Sequence, residues 1–297
     1  MAQKPHVRVG IIGGSGFYNM PGIENRQELS IHTPFGSPSD RLLLGTLDGV
    51  AVAFLPRHAT GHRIPPSGLN NRANIWALKS LGVEWIVAVS AVGSMRENIQ
   101  PLDVVIPDQL IDRTRDRPST FFDEPGLVVH VGMADPFCPE LMHVAADAVQ
   151  LGGGTVHRRG TYVCIEGPQF STRAESELFR SWGVHVIGMT ALPEARLARE
   201  AEICYSVMAM VTDYDVWHSS EEPVTAEMVV HNLTANADLA QRTVRAAIPL
   251  ALEQHRKCGC GNALHNAIIT APNAVSETLR DRMGLLVGRH LKAQSDS

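Results

Sequence analysis

A chain of 297 residues, 44% hydrophobic and 19% charged, can bury one large core, and a net charge of −5 with no basic block argues against nucleic acid and anionic membranes as partners. No apolar run approaches the length of a membrane span and residues 1–10 lack a signal-like apolar stretch, so a soluble, cytoplasmic protein is expected. Five cysteines, an odd number in a long chain, argue against a disulfide framework.

A short β-branched run at 7–12 leads into Gly13-Gly14-Ser15-Gly16. Apolar runs at 41–46 and 50–55 flank Leu47-Asp48-Gly49, which signals a hairpin. Helical periodicity covers 70–81 and stops at Gly82. A buried strand at 85–89 ends in Ser90-Ala91-Val92-Gly93-Ser94, and shorter strands are predicted at 104–106 and 127–131. The helix predicted at 139–151 closes on three glycines, and a strand at 161–165 runs into Glu166-Gly167-Pro168-Gln169-Phe170. Ser171 or Thr172 then caps a helix reaching Trp182, with Glu175 at capping-box distance from Thr172. A strand at 184–187, a helix at 193–202, a strand at 203–211 and a long helix at 225–255 follow. This alternation predicts an α/β fold, a single domain around a mainly parallel or mixed central sheet.

The segment 204–217, CYSVMAMVTDYDVW, is the most informative. It reads as a buried strand ending in two carboxylates, Asp213 and Asp215, two residues apart and therefore on one side of the strand. Two acids there cost free energy unless they are solvated, paired or given a protonation task, and strand ends are where α/β folds bind ligands. The glycine loop around Ser15 offers donors to an anion, but its spacing matches neither a dinucleotide nor a nucleotide triphosphate motif, and taken alone it reads first as a tight structural turn. Arg57-His58 supplies a permanent charge and a second donor, unless it is a solvated loop pair. Ser90-Ala91 and Met189-Thr190 put small donors at two more strand ends, where plain packing and a helix N-cap are the alternatives. Donors without a lysine-rich pocket point to inorganic phosphate or one phosphoryl group. Acids at a separate strand end point to a nitrogen heterocycle that needs a proton. Together they describe a nucleoside phosphorylase. Cys258-Gly259-Cys260 could be a redox clip or half a metal site. No matching Cys or His pair stands near it, so a plain loop is preferred and no metal is expected.

A wider set of segments carries a resemblance: 10–16 (GIIGGSG), 33–40 (TPFGSPSD), Arg57-His58, 73–79 (ANIWALK), 91–108, 111–114 (IDRT), 133–139 (MADPFCP), 165–176 (IEGPQFSTRAES), 189–194 and 212–215 (TDYD). Each is weak alone. In this order, from about residue 9 to 218, they resemble the methylthioadenosine phosphorylases of the trimeric purine nucleoside phosphorylase family. The resemblance implies the nucleoside phosphorylase fold, a central mixed sheet flanked by helices. Residues 8–218 would form the catalytic core and 224–297 a helical part over the 5′-substituent pocket. It implies attack of inorganic phosphate on C1′ of 5′-methylthioadenosine. Adenine and 5-methylthioribose 1-phosphate leave, a reaction of purine and methionine salvage without metal or organic cofactor. A ribosyl-cation-like transition state needs an aligned anionic nucleophile and a neutralised leaving group.

Carried over, the phosphate site falls on Ser15, Arg57, His58, Ser90, Ala91 and Thr190. Met189 falls at the ribose hydroxyls, Phe170 beside the base with Ser171 next to it, and Asp213 at the general acid, with Asp215 sharing the contact. The 5′-methylthio pocket falls on Ala226, Val229 and Val230, with His62 at its mouth; His130 would reach in from a neighbouring subunit of a homotrimer. Gly188 stands where some relatives have Asn, and the tail beyond 224 resembles the family less. The nearest rival is a phosphorylase of 6-oxopurine nucleosides or methylthioinosine. Such enzymes carry Asn at the Asp213 position and Glu at that of Ser171, so both residues here favour adenine. The missing third glycine counts against a dinucleotide-dependent oxidoreductase, and phosphate-dependent release of adenine would exclude a non-catalytic nucleoside-binding protein.

Overall fold

The first strand, β1 (Val9–Gly13), is buried at every position, as a strand covered on both faces must be. The computed structural model describes residues 6–14, 20–218 and 226–293, without the side chains at 226–231, 233–235 and 292–293. Next comes β2 (Ile23–Leu29), an exposed, polar edge strand that the apolar pattern does not signal. β3 (Leu42–Leu47) and β4 (Val50–Pro56) form the predicted hairpin, and Asp48 and Gly49 adopt the φ of 49° and 81° that its two-residue turn requires. α1 (Asn71–Ser80) is capped by the Asn70 side chain, which accepts from the Ala73 N–H. β5 (Trp85–Ser94) continues well past the predicted end at 89. β6 (Val104–Val105), β7 (Gln109–Arg113), α2 (Pro139–Leu151), β8 (Val156–His157) and β9 (Thr161–Ile165) follow. The capping box of Thr172 and Glu175 starts α3 (Arg173–Ser181) as predicted. β10 (Val186–Gly188), α4 (Ala191–Glu200), β11 (Cys204–Asp213), α5 (Ala226–Glu253) and α6 (Glu277–Ala293) complete the order. The strand predicted at 127–131 is reduced to a single bridge between Val129 and Ile268.

Among the described residues the strands make one mixed sheet along the path β2-β3-β4-β1-β5-β10-β9-β7, with β11, β6 and β8 joined on the far side of β5. β5 is its axis. One edge of β5 runs parallel to β1 over Trp85–Ala88 and then antiparallel to β10 at Gly93 and Ser94. The other edge runs parallel to β11 for nearly its whole length. Between Ala88 and Gly93 the first edge therefore has no strand partner among the described residues. Helices cover both faces. Ile12, Leu55 and Ala88 pack with residues of α1, α4 and α6. Val9, Ile11 and Val87 alternate to the opposite face and pack against α2 and α5. No helix among the described residues is long and apolar enough to cross a membrane.

Candidate active site

The gap along β5 opens on a cavity of about 290 Å³. Its wall is built mostly from strand ends, as expected of an α/β sheet, but Ser90 and Ala91 lie within β5 rather than at its end, just past the point where β1 leaves it. Arg57 and His58 follow β4; Ser90 and Ala91 belong to β5; Phe170 and Ser171 come from the loop after β9; Met189 and Thr190 follow β10. Asp213 ends β11, and Asp215 and His62 also face the cavity. Ser15 lies outside the described residues, as do the side chains of Ala226, Val229 and Val230. His130 lies apart from this cavity, in a second groove with Asp123 and Glu200.

At one end Arg57 is only 1% exposed. Its Nε and Nη2 donate to the two carboxylate oxygens of Glu194 at 2.5 and 3.0 Å, and Nη1 donates to Val89 O at 2.7 Å. Tyr205 Oη donates to the same Glu194 carboxylate at 2.9 Å. Burial by itself would lower the Arg57 pKa, but the Glu194 charge and its hydrogen bonds outweigh it and hold the guanidinium firmly charged. A guanidinium has five N–H groups, so the three bonds above leave two for an anion. The sequence presents Arg57 as a fork open to phosphate; the structure instead locks the fork on a carboxylate and leaves its outer edge.

His58 has the opposite polarity to that expected of a donor. Its Nδ1 stands 2.8 Å from Ile64 O, and a carbonyl only accepts, so Nδ1 carries the proton and Nε2 a lone pair. Burial, reinforced by the Arg57 charge, pushes its pKa down to about 4, so the ring is neutral at pH 7. The His62 ring stacks on it at 4.3 Å. Beside this pair, Ser90 Oγ lies 2.9 Å from Thr190 Oγ1 and 3.3 Å from Tyr162 Oη. The tyrosine fits because residue 188 is glycine: a Cβ there would come within 2.0 Å of its hydroxyl.

At the other end the two acids do not share one face of a regular strand. The register of β11 against β5 shifts between Val211 and Asp213, a bulge at Thr212. Asp215 then opens a short 3₁₀ turn with φ of 53°. The bulge lays Asp213 over Gly93, where a Cβ would sit 2.8 Å from Asp213 Oδ1. Asp213 accepts from Thr212 Oγ1 at 2.7 Å and from the Asp215 N–H at 2.8 Å, and Asp215 accepts from Ser176 Oγ at 2.5 Å. Burial raises both carboxyl pKa values from their ordinary value against these hydrogen bonds, and the Asp213 charge pushes Asp215 further up.

The arrangement offers a fixed cation and hydroxyls to an anion at one end, and two buried carboxyls with raised proton affinity at the other. Residues 8–249 match the family model described as the phosphorylase superfamily. The S-methyl-5'-thioadenosine phosphorylase of Gloeobacter violaceus is 51% identical over 290 residues, spanning 96% of this chain and 97% of the relative. The enzyme of the same name from Koribacter versatilis is 53% identical over 286 residues, spanning 96% and 97%. The chain belongs to the methylthioadenosine phosphorylase family. Two solved structures agree. A methylthioadenosine phosphorylase from an antarctic soil metagenomic library matches with a TM-score of 0.91 and 49% identity, over 95% of this chain and 99% of that one. The methylthioadenosine phosphorylase of Schistosoma mansoni in complex with adenine matches with 0.81 and 35%, over 95% and 98%.

Several residues of this methylthioadenosine phosphorylase family member that build the cavity escape a reading of the sequence. Glu194 holds Arg57, and Tyr162 lies against Ser90. Arg117 ties the loop after β9 to the end of β10, with Nε on Glu166 Oε1 at 3.1 Å and Nη1 on Met189 O at 2.6 Å and Leu192 O at 2.9 Å. Asn232 and Asn236 of α5 donate to Thr212 O at 2.5 Å and Val211 O at 3.1 Å, taking up carbonyls of the β11 bulge. Their four-residue spacing places both on one helix face, a signal legible in the sequence. Met210, Ala237 and Ala240 line the cavity on the same side.

Proposed function

We propose that the protein catalyses the reversible phosphorolysis of 5′-methylthioadenosine to adenine and 5-methylthioribose 1-phosphate. The observation that carries this reading is the two-ended cavity: Arg57 held charged beside the hydroxyls of Ser90 and Thr190, and the buried acids Asp213 and Asp215 opposite. Inorganic phosphate is the co-substrate, and the reaction uses no cofactor. Phosphate lies against the outer edge of Arg57, Ser90, Thr190 and the Ala91 backbone, with Ser15 and its glycine loop adding donors. The lone pair of His58 Nε2 accepts the hydrogen of hydrogen phosphate, which directs the charged oxygens to C1′. The phosphate O–C1′ bond forms as the C1′–N9 bond breaks. The electron pair goes to the purine, and Asp213 gives its proton to N7. Asp213 regains a proton from solvent after adenine leaves. Asp215 receives the exocyclic amine, Phe170 and Ser171 flank the base, and Met189 meets the ribose hydroxyls.

The 5′-methylthio group points to the start of α5, at Ala226, Val229 and Val230, with His62 at the mouth. The part of the chain from 224 on covers this end, while 8–218 carries the reaction. The free cysteines fit a reducing compartment, the cytoplasm. With methylthioadenosine, adenosine, methylthioinosine and inosine as substrates, adenine is expected from methylthioadenosine only when phosphate is present. Adenosine should react more slowly, by about 1–3 kcal/mol in kcat/KM, because its 5′-hydroxyl loses water without gaining a partner. Equal release in phosphate-free buffer would mean a hydrolase and overturn the proposal.

His130 belongs to the same proposal, reaching a neighbouring subunit's cavity in a closed cyclic trimer. Sedimentation at working concentration should give the trimer mass, and His130→Ala should lower kcat/KM for methylthioadenosine at unchanged mass. A fully active monomer would contradict the shared site.

A further inference from the structure

Cys258 and Cys260 flank Gly259 in the segment after α5. Two more cysteines meet them from remote parts of the chain: Cys138, the N-cap residue of α2, and Cys204, the first residue of β11. The four Sγ atoms lie within 4.8 Å of one another. Cys258 Sγ is 3.7 Å from Cys138 Sγ and 3.5 Å from Cys204 Sγ. Four sulfurs around one zinc ion, with bonds of about 2.3 Å, stand roughly 3.8 Å apart along the edges of a tetrahedron. The two separations from Cys258 are close to that edge, and the remaining ones stay within 4.8 Å. They are well beyond the ~2 Å of a disulfide. Cys138, Cys204 and Cys260 are at most 2% exposed, whereas Cys258 is partly exposed and gives an ion a way in.

We propose that Cys138, Cys204, Cys258 and Cys260 hold a structural divalent cation of the zinc class in tetrahedral thiolate coordination. Binding exchanges four thiol protons, released to solvent, for four metal–sulfur bonds, and no oxidant takes part. The resulting centre carries two negative charges, and its surroundings suit that. The Leu141 N–H at the start of α2 points at Cys138 Sγ, 3.5 Å away, and Arg199 Nη1 donates to Cys260 Sγ at 3.4 Å. Arg256 lies beside Cys204 and Cys258. Four protein ligands leave no open position, so the ion is structural rather than catalytic. The cluster lies at the end of β11 opposite Asp213. The ion thus fastens the segment leading to α6 onto α2 and β11. A plain loop at Cys258-Gly259-Cys260 would leave the convergence of Cys138 and Cys204 without purpose.

Metal analysis of the full-length protein, purified under reducing conditions and reconstituted with zinc, should find about one ion per chain. Cobalt reconstitution should give the intense sulfur-to-metal absorption and visible bands of a tetrahedral tetrathiolate centre. Cys258→Ser and Cys138→Ser should each remove that signature, and Cys164→Ser, altering the buried cysteine outside the cluster, should keep it. Stripping the ion should lower Tm by on the order of 5–10 °C. Less than about 0.1 ion per chain after reconstitution would overturn the proposal, as would an intact mass short of four hydrogens, the mark of two disulfides.

Discussion

Asp213→Asn should lower kcat/KM for methylthioadenosine by about 10²–10⁴-fold, the usual weight of general acid catalysis. The substitution removes the transferable proton and little else. Asn Oδ1 can accept from the Asp215 N–H as the carboxylate does at 2.8 Å. Its amide can donate to Thr212 Oγ1 once the Thr212 hydrogen, given to Asp213 in the parent protein, turns to Val92 O 3.2 Å away. The fold should therefore stand, and its stability should move the other way. Burial raises the Asp213 pKa in the folded chain, so the folded state holds this proton more tightly than the unfolded state. The stability this contributes is complete below the unfolded carboxyl pKa and is lost as pH rises through the folded one. A permanently neutral amide escapes that loss, so Tm at neutral pH should equal or exceed that of the parent protein. Wild-type turnover should fall as pH rises through the raised Asp213 pKa. Activity on methylthioinosine should rise relative to methylthioadenosine, since an amide can meet N7–H and O6 of a 6-oxopurine. Measuring kcat/KM on both substrates, with Tm alongside, decides the matter. Near-normal turnover of methylthioadenosine would move the acid to Asp215. Equal loss on both substrates would deny Asp213 a part in choosing the base.

The buried ion pair should give the second large effect, on stability and activity at once. Glu194→Ala leaves Arg57 charged, enclosed and without its partner, and should cost about 3–5 kcal/mol of stability. Arg57→Ala should raise the phosphate KM and lower kcat/KM by roughly 2–4 kcal/mol, the scale of a lost transition-state donor. The double replacement Arg57→Met with Glu194→Leu separates the two roles. Apolar side chains of similar size should restore much of the stability without restoring phosphorolysis. Urea unfolding and phosphate titration read the two quantities independently. An unchanged phosphate KM in Arg57→Ala would leave the pair a purely structural one.

What could be read in advance was local. The buried runs of β1, β5 and β11 announce themselves because both faces are covered, so apolar residues follow one another without alternation. β2 is silent because it is an exposed edge. Residues 127–131 imitate a strand, yet Val128 is 46% exposed and the segment pairs only through Val129. In the site, donors at strand ends are legible from the residues following each apolar run. The partners that set their polarity are not. Glu194 is 137 residues from Arg57, and Tyr162 is 72 from Ser90. The bulge that turns Asp213 toward the cavity depends on register with β5, which no single strand encodes. The sulfur cluster escaped for the same reason, since Cys138 is 120 residues from Cys258 and Cys204 is 54.

The contact between Gly188 and Tyr162 also constrains how this cavity can diverge. Removing the hydroxyl alone would not admit a side chain at 188, because the ring carbon beneath it would still lie 2.6 Å from the new Cβ. Shrinking the ring first would empty a fully buried position and strip Ser90 of a neighbour. Positions 162 and 188 are therefore sterically one unit: a side chain at 188 requires a smaller residue at 162, and the two must be exchanged together if this wall of the cavity is to be redesigned.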